Sequence, residues 1–182
     1  MKKEKSKPIY DEKDIYPYFM RMSVLKGTGV DTDECKQKPI IVVVNSHTEM
    51  NTGHAHLSGL AVRVKEGIHA EGGIPFEFNV PAPCDGLSEG NEGMKYILAQ
   101  RDLIADIVET HVRSQLFDGM VMIASCDKII PGMLMAAARL DLPAIFLTGG
   151  PGVYQIRFSK NYKGSILHSS YDDLNDRIET VS

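Results

Sequence analysis

The sequence predicts an α/β fold: a three-layer α/β/α arrangement with a mainly parallel sheet, forming the N-terminal part of a larger enzyme fold. Three observations predict it. Four short apolar runs recur along the chain, at Ile40–Asn45, 74–80, Gly119–Ala124 and Ala144–Thr148. Between them lie longer segments whose apolar residues recur with helical period. The runs are apolar throughout rather than alternating, as strands covered on both faces are. Regular alternation of strand and helix implies a parallel sheet, because parallel neighbours need crossover connections.

The elements follow in order. Residues 1–37 are polar and mixed in charge, a lead-in with one helix over 15–25 that ends near Gly27 and Gly29. The opening MKKEKSK is charged like the start of a signal peptide, but no apolar stretch follows it, so it reads as an exposed end. The run IIVVVN after Pro39 is a buried strand. Residues 54–70 place Leu57, Leu60, Ala61, Val64 and Ile68 on one helical face, and Gly72-Gly73 stops that helix. A second strand at 74–80 runs into a glycine-rich loop, CDGLSEGNEGM. Residues 95–115 form the best helix, with Ile104, Ile107, Val108 and Val112 in phase. GMVMIA is the third strand. Pro131 suits the first turn of the next helix, which runs to about Leu140. AIFLT is the fourth strand, stopped by Gly149-Gly150-Pro151. From 152 onward the pattern weakens, with a short terminal helix as the one candidate element. The predicted organisation is a lead-in over 1–37, an α/β core over 38–152, and a partial segment over 153–182 that leads into a continuation beyond this chain.

Composition bounds the function classes. The chain has 182 residues, enough for one domain with a sizeable core. A net charge of −4 without a basic stripe argues against nucleic acid as a partner. No segment reaches the roughly 20 apolar residues that span a bilayer, so a soluble protein is expected. Three cysteines and no secretion signal argue against a disulfide framework and for a reducing, cytoplasmic location.

Ligands of open α/β sheets bind beyond the carboxyl ends of the strands. Just past the four strands stand Asn45 to Glu49 with Thr52, Gly53 and His54; then Cys84, Asp85 and Gly86; then Ser125 to Lys128; then Thr148 with two glycines. Oxygen ligands, sulfur ligands and glycine turns therefore gather on one edge. SCDKIIPGM is the most informative stretch. Asp127 offers oxygen to a hard cation such as Mg²⁺. Cys126 offers a thiolate to iron or zinc. Lys128 fits beside a cation only if it is neutral or has become an anionic carbamate. A buried cysteine beside a surface Asp–Lys pair is the competing reading, and Asp85-Gly86 alone reads equally as a turn. His54 and His56 are two residues apart and share no helical face, which disfavours a paired metal site. His54 is either a plain helix-terminal histidine or a substrate contact. His69, His111 and His168 read as structural or solvated. Cys35 lies in a charged loop and reads as a bystander. Met120, Met122, Met133 and Met135 read as core filler.

The run from Lys38 to Gly152 resembles the dihydroxy-acid dehydratase and 6-phosphogluconate dehydratase family. The resemblance is carried by KPIIVVVNSHTEMNTGHAHL, GGIPFEFNVPAPCDGLSEGNEGM, RDLIADIVE and SCDKIIPGMLMAAARLDLPAIFLTGGPG; MRMSVLKGTGVDTDE extends it upstream. It implies a hydro-lyase that converts a 2,3-dihydroxy carboxylic acid to a 2-oxo acid. It implies an iron–sulfur cluster, [2Fe-2S] or [4Fe-4S], with Cys126 as a ligand. It also implies Mg²⁺ held by Asp85, Asp127 and a carbamylated, catalytic Lys128. A branched-chain dihydroxy acid is the expected substrate, as in isoleucine and valine synthesis, with a sugar acid as the alternative. The family is typically dimeric, so a homodimer is the expected partner state of the longer protein. Many members carry a cluster cysteine where this chain has Gly53. Cys84 either compensates in part or forms pocket wall. The family's general base and further cysteine are expected beyond residue 182. A non-catalytic truncated chain is the second reading. A small nucleotide-binding or redox domain is the third, weakened by the lack of GxGxxG, P-loop and CxxC signatures.

Overall fold

The computed structural model describes residues 5–150. The terminal helix and His168, and the ends of the predicted lead-in and of the 38–152 core, lie outside the described residues. A 3-10 turn at Lys7–Tyr10 and helices α1 (Ile15–Gly27) and α2 (Thr32–Gln37) precede strand β1 (Ile40–Asn45). Then follow α3 (Leu57–Ala70), β2 (Ile74–Asn79), α4 (Asp85–Ser88), α5 (Met94–Ile97), α6 (Gln100–Gln115), β3 (Gly119–Ala124), α7 (Ile129–Leu140) and β4 (Ala144–Thr148). The four strands form one parallel sheet in the order β2-β1-β3-β4.

The sheet separates two apolar layers. On one face Val42 and Val44 of β1 and Met120 and Met122 of β3 pack with Ile104, Val108 and Val112 of α6 and Met133 and Ala136 of α7. On the other, Val43 and Ile123 pack with Leu57 and Ala61 of α3. The expected α/β/α layering is therefore present. Each Val, Leu, Ile or Met side chain among them removed from water contributes roughly 1.5–3 kcal/mol before conformational entropy is counted. The methionines read as filler do sit in or against this core.

The expectation of strands covered on both faces holds for β1 and β3 and fails at the edges. Ile145 of β4 is 67% exposed. It pairs with Val121, on the sheet face that α3 covers farther in.

Three local differences have simple causes. Regular helix α3 starts at Leu57, not at residue 54, because residues 52–56 form a turn in which His54 and Ala55 both donate to the Asn51 carbonyl. The helix expected over 95–115 is interrupted between α5 and α6, where Ala99 has ψ −7, far from the helical value near −42. Cys35 lies in a helix rather than a loop: Asp31 caps α2 through the Asp33 and Glu34 amides, and Cys35 is fully buried.

The lower end of the sheet is tied to the N-terminal segment by Asp118. One of its carboxylate oxygens accepts from the Lys5 and Ser6 amides, the other from the Ser6 hydroxyl and the Ile40 amide. This leaves the carboxyl ends of the strands, at the opposite edge, for the functional loops.

Candidate functional site

The strand order reverses between β1 and β3. β1 connects through α3 outward to β2, whereas β3 connects through α7 outward to β4. The loops after β1 and β3 therefore diverge, and a crevice between them is the binding place of such sheets.

Of the four metal-site candidates on that edge, Asp85, Cys126, Asp127 and Lys128, the structure brings three into direct contact. The Lys128 ammonium donates to Oδ2 of Asp85, arriving from the loop after β2, and to Oδ2 of Asp127 at 3.0 Å. Asp85 is the first residue of the one-turn helix α4, so it does not sit in an ordinary Asp-Gly turn. Hydrogen bonds from Asp85 first and Asp127 second push the Lys128 pKa up. The same lysine holds the Asp127 carboxyl below its usual range. Two carboxylates from separate loops thus converge on one positive centre.

Cys126 stands beside them in a left-handed conformation, φ 66. A non-glycine residue there costs roughly 1–2 kcal/mol, and such strain gathers at functional turns. The turn links β3 directly to α7, for which Lys128 is the N-cap residue. Burial pushes the Cys126 thiol pKa up; a contact from Asn51 opposes this, and the charges of Asp85, Cys84 and Asp127 add to it. Cys84 and Asp85 therefore share the electrostatic neighbourhood of Cys126. Cys84 itself is half-buried.

One contributor escaped the sequence reading. Asn51 is buried and joins three loops: its amide nitrogen lies 3.3 Å from the Ala82 carbonyl and 3.9 Å from Cys126 Sγ, and its oxygen accepts from the Gly53 amide. An Asn opening a turn that contains Gly was the available signal. A Cβ built on Gly53 would lie 3.6 Å from Cys126 Sγ and 3.6 Å from Ser125 Oγ, so a side chain at 53 would stand beside the thiol. The Ser125 hydroxyl donates to the Gly150 carbonyl at 2.9 Å, and His56 Nε2 lies 2.8 Å from the Gly149 carbonyl. Gly149 has no room for a side chain, since a Cβ would approach Leu57 Cδ2 to 2.5 Å. The loop after β4 is thereby fastened to the loops after β1 and β3.

His54 is fully buried. Its Nδ1 lies 2.8 Å from the Ser46 carbonyl and 3.0 Å from the Ser46 hydroxyl, and its Nε2 is buried without a hydrogen-bond partner. His69 is exposed. His111 stacks on Phe78, with ring centroids 3.9 Å apart.

Among the described residues, no three His, Cys, Asp or Glu side chains are grouped closely enough to hold a metal by themselves. The fit to Mg²⁺ therefore depends on Lys128. As an ammonium it occupies the cation position between Asp85 and Asp127. As an anionic carbamate it would become a third oxygen donor there, a set that suits a hard cation. The fit to iron rests on the Cys126 thiol, the side-chain-sized space at Gly53 and the unpartnered His54 nitrogen. No described helix is long and apolar enough to cross a membrane.

Comparison with known proteins bears on this edge. Residues 38–178 match the family model described as dihydroxy-acid/6-phosphogluconate dehydratase, N-terminal. Over 129 residues the chain is 58% identical to dihydroxy-acid dehydratase 1 of Methanosarcina acetivorans. Over the same length it is 56% identical to the dihydroxy-acid dehydratase of Pyrococcus abyssi and 54% to that of Methanococcus aeolicus. Each alignment covers 71% of this chain and 23% of the relative, so the chain spans about a quarter of the length of the relatives it matches.

Proposed function

Since the chain belongs to the dihydroxy-acid/6-phosphogluconate dehydratase family, we propose that it contributes the cation-holding rim of a hydro-lyase. That enzyme converts a 2,3-dihydroxy carboxylic acid to a 2-oxo acid. The relatives' name, dihydroxy-acid dehydratase, favours a branched-chain substrate over a sugar acid. The observation that carries the reading is the convergence of Asp85 and Asp127 on Lys128, next to the strained Cys126 turn.

Cys126 would hold an iron–sulfur cluster, and Asp85, Asp127 and carbamylated Lys128 would hold Mg²⁺. When bound, the iron would assist departure of the 3-hydroxyl, and the magnesium would offset charge on the substrate carboxylate and 2-hydroxyl. The protein's own residues set the conditions. Asp85 and Asp127 arrive from different loops, so the rim exists only when the loops after β2 and β3 are both in place. Lys128 must lose a proton before its nitrogen can attack carbon dioxide; the new N–C bond gives a carbamate and releases a second proton. With the carboxylates alone, its raised pKa opposes that loss. A divalent cation at the carboxylates reverses the balance, so carbamylation and magnesium binding should be coupled. Asn51 and Gly53 hold the wall against which the Cys126 thiol rests.

The test is an assay of the full-length protein that contains this chain, loaded with iron, sulfide and Mg²⁺. A branched-chain 2,3-dihydroxy acid and gluconate are supplied separately, and 2-oxo acid is measured. The reading expects turnover of the branched-chain acid, lost in Asp85→Asn and Cys126→Ser. Turnover unaffected by both substitutions contradicts it.

A further inference from the structure

We propose that His54 Nε2 is a nitrogen ligand of the metal centre that Cys126 holds, on the side where Gly53 presents no donor. The inference rests on the preceding reading that Cys126 binds iron.

The tautomer comes first. Nδ1 lies 2.8 Å from a backbone carbonyl, that of Ser46, which can only accept. Nδ1 therefore carries the hydrogen. The Ser46 hydroxyl is itself 2.9 Å from the Ile123 carbonyl, to which it donates. In the neutral imidazole, Nε2 is then left with a bare lone pair. The ring is fully buried, and burial lowers its pKa, which favours that neutral form.

This lone pair has no partner. A buried acceptor left unmet costs roughly 1–3 kcal/mol, and such an atom calls for a water or an ion. Its surroundings favour a cation. The Ser125 backbone accepts toward the ring and raises its pKa, the direction that favours positive charge there, although no acceptor meets Nε2 at full hydrogen-bond geometry. Ser125 precedes Cys126, and the residue before His54 is Gly53, whose Cβ position is 3.6 Å from Cys126 Sγ. An imidazole whose Nδ1–H is held by a carbonyl, with Nε2 free, is the usual state of a metal-ligating histidine. Mixed thiolate and imidazole donors suit iron and zinc. Nε2 is closed to solvent, so metal entry must move the turn at 52–56.

The experiment titrates the 182-residue chain with Zn²⁺ under reducing conditions, using [¹⁵N]histidine and [¹³C]cysteine labels. In metal-free protein, His54 should show the Nδ1–H tautomer. On zinc addition, the His54 Nε2 and Cys126 Cβ signals should shift together at one equivalent. Backbone amides of the 52–56 turn should shift with them. His54→Asn should weaken zinc binding at Cys126 at least ~10-fold, and His56→Asn should not. Because His54→Asn alters a fully buried position, Gly53→Cys/His54→Asn serves as a second variant, expected to regain affinity through the added thiol. A Cys126 response with an unchanged His54 ring overturns the inference while leaving Cys126 a ligand. No response at either residue overturns both this inference and the metal role of Cys126.

Discussion

Replacing Gly132 by alanine sets two effects of opposite sign against each other. Gly132 lies in α7, one turn after Lys128. A Cβ there would stand 2.9 Å from the Arg101 carbonyl oxygen, 3.0 Å from Ile104 Cβ and 3.2 Å from Ile104 Cγ2. Favourable carbon contacts lie at about 3.5–4.0 Å. Helix propensity favours alanine over glycine by about 1 kcal/mol. Overpacking costs about 1–3 kcal/mol. Two of the three close atoms, a backbone oxygen and a Cβ, cannot rotate away, so the cost belongs in the upper part of that range. The expected net effect of Gly132→Ala is a destabilisation of about 1–2 kcal/mol. It should appear as a lower urea midpoint with unchanged slope, followed by circular dichroism. A displaced α7 also carries Lys128 with it, and a shift of about 1 Å at a reacting centre costs on the order of 10²-fold in rate. An unchanged or raised midpoint would refute the packing argument, because propensity would then have won.

Other expectations follow from the same contacts. Asp118→Ala removes an acceptor for four donors at 2.6–3.0 Å. It should cost at least ~3 kcal/mol in urea unfolding, with Asp118→Asn intermediate. Burial lowers the His111 pKa from 6.5, so the unfolded chain takes up the proton first. Stability from this residue is complete above about pH 6.5 and is lost as pH falls through the folded value. His111→Phe should flatten the acid side of a stability-versus-pH curve, and an unaltered slope would contradict this. Gly53→Ala meets only ordinary contacts at 3.4–3.6 Å, so its melting temperature should stay near that of the parent chain. Gly53→Cys should form a disulfide with Cys126 on mild oxidation, seen as a loss of two thiols in mass spectrometry.

Much of the fold was legible because burial wrote it into local patterns. Ile40–Asn45, Gly119–Ala124 and Ala144–Thr148 are β-branched or apolar runs with sharp stops, and their bounds match the structure. The start of α3 was less legible, since His54 continues the helical period while its amide closes a turn onto Asn51. Cys35 was misplaced in a loop although Asp31 followed by Asp33 and Glu34 is a helix-capping signal. At the site, Asp85, Asp127 and Lys128 could be gathered from strand order alone, because each follows a strand end. Asn51 and the bare His54 nitrogen could not. Their roles depend on contacts among loops after different strands, and no spacing along one segment encodes those.

The account depends most on the rim formed by Asp85, Asp127 and Lys128. Calorimetric titration of Mg²⁺ into the chain in bicarbonate buffer tests it directly. The account predicts one binding event, weakened at least ~10-fold, or ~1.4 kcal/mol, by either Asp85→Asn or Lys128→Met. Magnesium binding of equal affinity in the parent and both variants would contradict it.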